Sequence, residues 1–177
     1  SDTGIPVERE MLTRHGTQDH LLYVNMDPLP LDQIAPEDLA GIFAKARIRF
    51  KVIVISACYS GGFIDALKDD STMIVTAARA DRSSFGCGSD SDITDFGRAF
   101  LVDGLNHNET FTGAFAEADK LVDAWETHDH EDHSQPQLVT TPRIEAQLRL
   151  WRAGITLGPP VPFIAIKPSS DALTVSR

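Results

Sequence analysis

The chain has 177 residues and a net charge of −10. The length suits one domain, and the charge argues against nucleic-acid binding, which wants a basic face, and against docking on an anionic membrane surface. The 42% hydrophobic content can supply an ordinary core; the two cysteines, Cys58 and Cys87, exclude a disulfide framework, and no apolar run approaches the roughly 18 residues of a membrane helix.

Residues 1–7 contain Gly4 and Pro6 and read as an irregular arm. Glu8 to Thr13 is a short strand candidate, more charged than a central strand should be. It leads to Arg14-His15-Gly16, where the glycine permits a sharp turn. Leu21 to Met26 is a second extended piece, and Asp27-Pro28-Leu29-Pro30 is a turn-rich connection. Pro36 opens a helix at the position where a missing N–H costs nothing, with Leu39, Ile42, Phe43 and Ala46 on one face. That helix feeds Val52 to Ile55, an unbroken β-branched run of the kind buried on both faces of a parallel sheet. A short helix from Phe63 to Leu67 and a second buried strand from Thr72 to Ala77 follow.

Arg79 to Ile93 is a polar, glycine-dotted loop, and loops of that length are uncommon unless functional. Asp95 to Leu105 is a helix candidate broken at Asn106-His107-Asn108. From Thr110 the helical period is strong, and Phe111, Phe115, Ala118, Val122 and Trp125 form one stripe that reads as core. Gln137 to Thr141 is a strand candidate. Ile144, Leu148 and Trp151 mark a helix stopped at Gly154, and Val161 to Ile166 an edge strand among prolines. From Lys167 the chain reads as a mobile tail. These pieces imply a parallel α/β core in one domain over residues 1–166, with a tail over 167–177.

Two stretches carry candidate chemistry. Cys58, in Ala57-Cys58-Tyr59-Ser60-Gly61-Gly62, lies at the carboxyl end of a central parallel strand, where open α/β sheets bind their ligands. The alternative is a buried structural thiol. His15 lies 43 positions upstream, and a histidine and a cysteine on adjacent strand ends can form a nucleophile–base pair. The late run with His128, His130 and His133 has the residue types of a transition-metal site. It lies at a helix end among acids, where a solvated charged run is the usual account. No metal and no cofactor is assigned.

Four segments appear in order: Thr13-Arg14-His15-Gly16-Thr17, Ala57 to Gly62, Thr76 to Cys87, and Thr94 to Phe100. Over roughly residues 10 to 140 the chain resembles the legumain family of cysteine peptidases, and within it the bacterial branch. The resemblance implies a caspase-like fold with a mainly parallel sheet flanked by helices. It implies a cysteine endopeptidase that hydrolyses or transfers peptide bonds after asparagine or a similar small polar residue, acting on peptides or proteins without a cofactor. Cys58 and His15 would be catalytic, and the backbone N–H groups of Gly16 and Cys58 would be the oxyanion donors. Ser56, Ser84 and Asp95 would line the primary pocket, Asp95 accepting N–H bonds from an asparagine side chain. A helix from Phe63 would add partial positive charge near a thiolate. Thr94 or Asp95 could instead serve as a helix N-cap. A Cys58–Cys87 bridge would consume the nucleophile.

Three departures from the family pattern stand out. Ser56 occupies the position of a pocket glutamate, and Arg14 that of an aspartate before the histidine. The family's pocket arginine comes from an earlier strand, and only fourteen residues precede His15. These lead to the expectation that the first strand and helix of the fold lie outside this sequence, or that a second copy covers the exposed sheet edge. A catalytically silent relative serving as a binding or assembly module is the alternative function.

Overall fold

The computed structural model describes residues 7–13, 15–24, 33–86 and 93–161. In chain order the elements are β1 (Val7–Thr13), β2 (Leu22–Tyr23), β3 (Gln33–Ile34), α1 (Pro36–Ala46), β4 (Phe50–Ser56), α2 (Ile64–Leu67), β5 (Thr72–Thr76), α3 (Asp95–Gly97), α4 (Leu105–His107), α5 (Phe111–Asp129), β6 (Gln137–Val139) and α6 (Pro142–Ala153). The β-branched run becomes β4, buried at every residue. A strand covered on both faces must satisfy its backbone groups through neighbouring strands. β1 and β5 supply them, both parallel to β4, in the sheet order β1-β4-β5-β6. β6 runs antiparallel to β5, so the sheet is mainly parallel with one reversed edge, the mixed α/β arrangement expected.

The two faces of the sheet have separate cores. Val52, Val54, Met73 and Val75 pack with Phe96, Phe100, Ala114, Ala118, Val122, Ile144 and Leu148 from the later helices. Ile53, Ile55 and Ile74 pack with Leu22, Leu39, Phe43, Phe63 and Leu67. The alternation along β4 is the pleat of a strand that sends successive side chains to opposite layers. The stripe on α5 lies where its period put it: Ala118 and Val122 are buried, and Phe111, Phe115 and Trp125 pack partly buried against the first core.

The register of β1 on β4 positions the site. Thr13 pairs with Ser56, so the chain leaves both strands at the same end of the sheet, side by side. Among the described residues, β4 is the one strand paired with β1.

Several expectations are corrected. Ile42 is 54% exposed and Ala46 is exposed. α1 buries only Pro36, Leu39 and Phe43, a narrower stripe than its period suggested. The segment after Cys58 begins as a 3₁₀ turn over Ser60–Phe63 and continues as the four-residue α2. So short a helix sums few peptide dipoles, so the expected helix-end charge at Cys58 has little basis. The helix from Asp95 continues through a wide, π-helical segment, Arg98–Gly104, to α4. Val161 lies in no strand; residues 162–166 and the tail from Lys167 lie outside the described residues, as do Met26 and the Asp27–Pro30 connection.

Ile55 is fully buried in the strand that carries Cys58. Ile55→Ala removes three methyl or methylene carbons and leaves a cavity. It is expected to cost about 2–5 kcal/mol, seen as a lower midpoint in thermal unfolding followed by circular dichroism.

Candidate active site

Two turns meet beyond the carboxyl ends of β1 and β4. After His15 the chain folds back tightly: Thr17 N–H donates to Leu21 O at 3.0 Å, and Tyr23 N–H donates to His15 O at 2.9 Å. Gly16 pairs with Leu22 in an isolated antiparallel bridge, and neither of those two bonds uses the Gly16 amide. A Cβ at Gly16 would overlap the Cys58 carbonyl oxygen. Glycine is therefore required by close backbone approach. His15 itself is exposed. The structure thus brings the His15-Gly16 turn into backbone contact with the cysteine turn.

The cysteine turn is tied down on all sides. Ala57 is buried and Cys58 half-buried. Tyr59 adopts a left-handed conformation, φ 57°, which costs a non-glycine residue roughly 1–2 kcal/mol. The fully buried Ser60 hydroxyl accepts from Ala78 N–H at 3.1 Å, and Gly61 N–H donates to Ala78 O at 2.9 Å. Together they fasten the turn to the end of β5. Tyr59 N–H donates to Arg82 O at 2.8 Å. Its carbonyl lies 3.2 Å from Nδ1 of His20, whose ring covers Gly62. The Tyr59 hydroxyl receives bonds from Ser83 Oγ and Gln18 Nε2, each at 3.3 Å. These bonds, Ser83's foremost, hold the phenol below its ordinary pKa.

The loop after β5 forms the third side. Cys58 Sγ lies 3.2 Å from the carbonyl oxygen of Ser84 and 3.3 Å from its nitrogen. A thiol can donate to that carbonyl, and a thiolate can accept from that N–H. Ser84 is itself buried. Two residues on, Gly86 has φ +76°, and a Cβ there would meet Asp95 Oδ1 at 2.5 Å. Asp95 therefore sits directly behind the segment that touches the sulfur. Burial pushes the Asp95 carboxyl pKa up, Asp129 adds to the rise, and Arg98 opposes it.

The cap is resolved in favour of Thr94, whose Oγ1 accepts from Gly97 N–H at 3.0 Å; Asp95 is the first helical residue. Ser56 Oγ is fully buried and shares a 2.7 Å hydrogen bond with Thr94 Oγ1. Its hydroxyl is turned into the protein and reaches the site only through Thr94. Cys58 thus touches Ser84, Gly86 two residues on lies against Asp95, and Ser56 is bonded to the neighbouring Thr94.

The late histidines do not converge. His130 Nδ1 bonds the His128 carbonyl at 3.0 Å, and His133 Nδ1 lies 2.7 Å from Asp123 Oδ1. Among the described residues no three His, Cys, Asp or Glu side chains are grouped so as to hold a metal ion. The acidic run is not wholly solvated: Glu126 is 4% exposed and accepts from Ser134 N–H at 3.0 Å. An apolar cavity of about 730 Å³, lined by Val52, Val54, Phe100 and Trp151 among others, does not include Cys58, Ser84 or Asp95 in its walls. Its lining also includes Glu109, Glu145, Arg149 and Arg152 but, among the described residues, no cysteine or histidine, so the surroundings of Cys58 are the better candidate site.

The sequence model of the Peptidase C13 family matches residues 11–145, from within β1 to within α6. The chain belongs to the Peptidase C13 family. That is the legumain family of cysteine peptidases, so this C13 member is a hydrolase of the cysteine-peptidase type, and its mixed sheet flanked by helices is consistent with the family's caspase-like fold. A peptidase of this kind acts on peptide or protein substrates. No individual curated protein sequence matches the chain.

Four residues of this C13 site escaped the sequence reading. Tyr59 and Ser60 stand inside the cysteine motif, but nothing in their types announces a left-handed tyrosine or a buried strap. Gly86 follows Ser84-Phe85, and a glycine in a long loop is a signal too common to single out. His20 also has positive φ, 59°, a region in which histidine is enriched, and the Asp19-His20 pair was the available hint.

Gly16→Ala forces the two turns apart. It is expected to cost about 1–3 kcal/mol by overpacking and to lower peptidase activity about 10²-fold by misplacement. Gly41→Ala, in the open middle of α1 with nothing within 4 Å of the added Cβ, should instead stabilise by about 0.5–1 kcal/mol. Thermal unfolding and peptide turnover on both variants check the contrast. Asp95 gives a pH test. With its folded pKa raised, the carboxyl favours folding most below the unfolded value of about 3.9, and that advantage is lost as pH rises through the folded value. Asp95→Asn should therefore unfold at a higher temperature than the parent at pH 7, with the gap shrinking as pH falls toward about 4.

Proposed function

We propose that this C13 peptidase cleaves peptide bonds after asparagine or a similar small polar residue, by hydrolysis or by transfer of the acyl group, with Cys58 as nucleophile and His15 as its acid–base partner. The observation that carries this reading is the contact of Gly16 with the Cys58 carbonyl, which joins the histidine's turn to the cysteine's. A free thiol, with pKa near 8.5, is mostly protonated at neutral pH, so amide cleavage needs a base or field that favours the thiolate, a proton donor for the leaving amine and donors for the oxyanion. The Cys58 sulfur attacks the scissile carbonyl, and His15 delivers a proton to the departing amine. A water, or an incoming amine in transfer, then attacks the acyl-enzyme while His15 takes its proton.

The Gly16 and Cys58 N–H groups are the oxyanion donors in this reading. It is supported by the hairpin's two bonds, which bypass the Gly16 amide. Ser84 and Asp95 form the primary pocket, where a carboxylate accepts the N–H bonds of an asparagine amide. Ser56 contributes indirectly, by holding Thr94 and so the start of the helix that carries Asp95. The buried hydroxyl argues against direct substrate contact by Ser56.

Cys58→Ala and His15→Ala are each expected to abolish cleavage of an asparagine-containing peptide while leaving the circular dichroism spectrum unchanged. Cys87→Ala should leave turnover within about twofold, since the family position that Cys87 matches is not catalytic. Peptide mapping after brief iodoacetamide treatment should find Cys58 modified before Cys87, and the reverse order would remove Cys58 from the role.

A further inference from the structure

We infer that Tyr59 is a positioning residue that sets the spacing between the two walls of the cleft, the wall that carries His15 and the wall that carries Ser84. The inference rests on the dyad reading above and adds a residue to it. Tyr59 follows Cys58 directly and is held at φ 57°, a conformation that glycine or asparagine would adopt more easily. Strain of this kind persists only where the surroundings over-determine it, and such residues cluster at functional sites.

The surroundings of Tyr59 are the two loops that bracket the sulfur. On one side Gln18 Nε2 reaches its hydroxyl at 3.3 Å and His20 Nδ1 its carbonyl at 3.2 Å. Both come from the turn that starts at His15. On the other side Ser83 Oγ reaches the same hydroxyl at 3.3 Å and Arg82 O accepts its N–H at 2.8 Å. Both immediately precede Ser84, whose backbone touches the sulfur. One residue therefore bonds both walls, through its main chain and through the end of its ring. Replacing it with glycine would relieve the backbone and release the bridge together. That separates a positioning role from a merely structural one, because stability and activity should move in opposite directions.

The experiment compares Tyr59→Gly and Tyr59→Phe in a Cys87→Ala background. It reads thermal unfolding, kcat and KM on an asparagine peptide, and the rate of iodoacetamide reaction at neutral pH. For Tyr59→Gly we expect an unfolding midpoint equal to or above the parent's, kcat lowered about 10²-fold with KM changed far less, and slower alkylation of Cys58. Tyr59→Phe keeps the ring and the left-handed backbone and removes only the hydroxyl bridge, so it should show a smaller drop in kcat and in alkylation rate, with no rise in the midpoint. Unchanged kcat and alkylation in both variants would overturn the inference, as would a fall in activity that tracks a fall in stability. A parent that neither cleaves the peptide nor loses alkylation rate on His15→Ala would overturn the dyad reading itself, and this inference with it. A parent that passes both tests isolates the role of Tyr59. If Tyr59→Gly does not fold, the over-determined backbone is structural and the inference falls on that result as well.

Discussion

The parallel pairing of β1 with β4 is the constraint on which the site depends. Each ladder bond is worth about 0.5–1.5 kcal/mol net, so no single one holds the arrangement. The seven-residue register, Val7 with Phe50 through to Thr13 with Ser56, fixes where both chains leave the sheet. The turns that follow the two strands then emerge side by side, and the remaining adjustment is made by a glycine whose missing Cβ lets it lie on the Cys58 carbonyl. A one-residue slip would turn β4's alternating side chains to the wrong layers, and the burial of β4 on both faces makes that slip costly.

The other walls of the cleft are attached to this frame by buried polar contacts. Ser60 binds the cysteine turn to Ala78, and Ser56 binds the end of β4 to Thr94. Arg79 N–H donates to Ser134 O at 2.9 Å, which braces the start of the loop that reaches the sulfur. Each strap is a hydrogen bond whose loss would leave a buried donor or acceptor unsatisfied, a cost of about 1–3 kcal/mol. The sulfur consequently meets a fixed backbone at Ser84, and the Asp95 carboxyl lies against Gly86, its pKa raised by burial.

Much of this was legible in the residues. The β-branched run at Val52, the proline at the start of α1, the stripe on α5 and Gly154 after α6 each carry a local rule strong enough to read directly. The two turns were legible because cysteine and histidine are scarce and their glycine neighbours are positional. Asp95 was ambiguous because a threonine and an aspartate side by side satisfy the same capping rule, and only the 3.0 Å bond from Gly97 to Thr94 separates them. Ser56 stands where the family pattern has a glutamate, but a serine is short, and its hydroxyl finds Thr94 within the core. Ile42 misled because helical period locates a stripe without its width. The acidic run misled at Glu126 because charge alone does not reveal a backbone N–H waiting at Ser134.

The central claim, that this cleft is an asparagine-directed cysteine peptidase site, is tested most directly by intact mass measurement after exposure to short peptides ending in an electrophile. One probe carries asparagine at the reactive end, and the others leucine or glutamate in its place. The account predicts one adduct per chain, mapped to Cys58 and formed with the asparagine probe far faster than with the others, since a pocket built to hydrogen-bond a polar group can reject an analogue lacking it by about 10⁴-fold. An adduct on Cys87, or equal rates for the three probes, would contradict it.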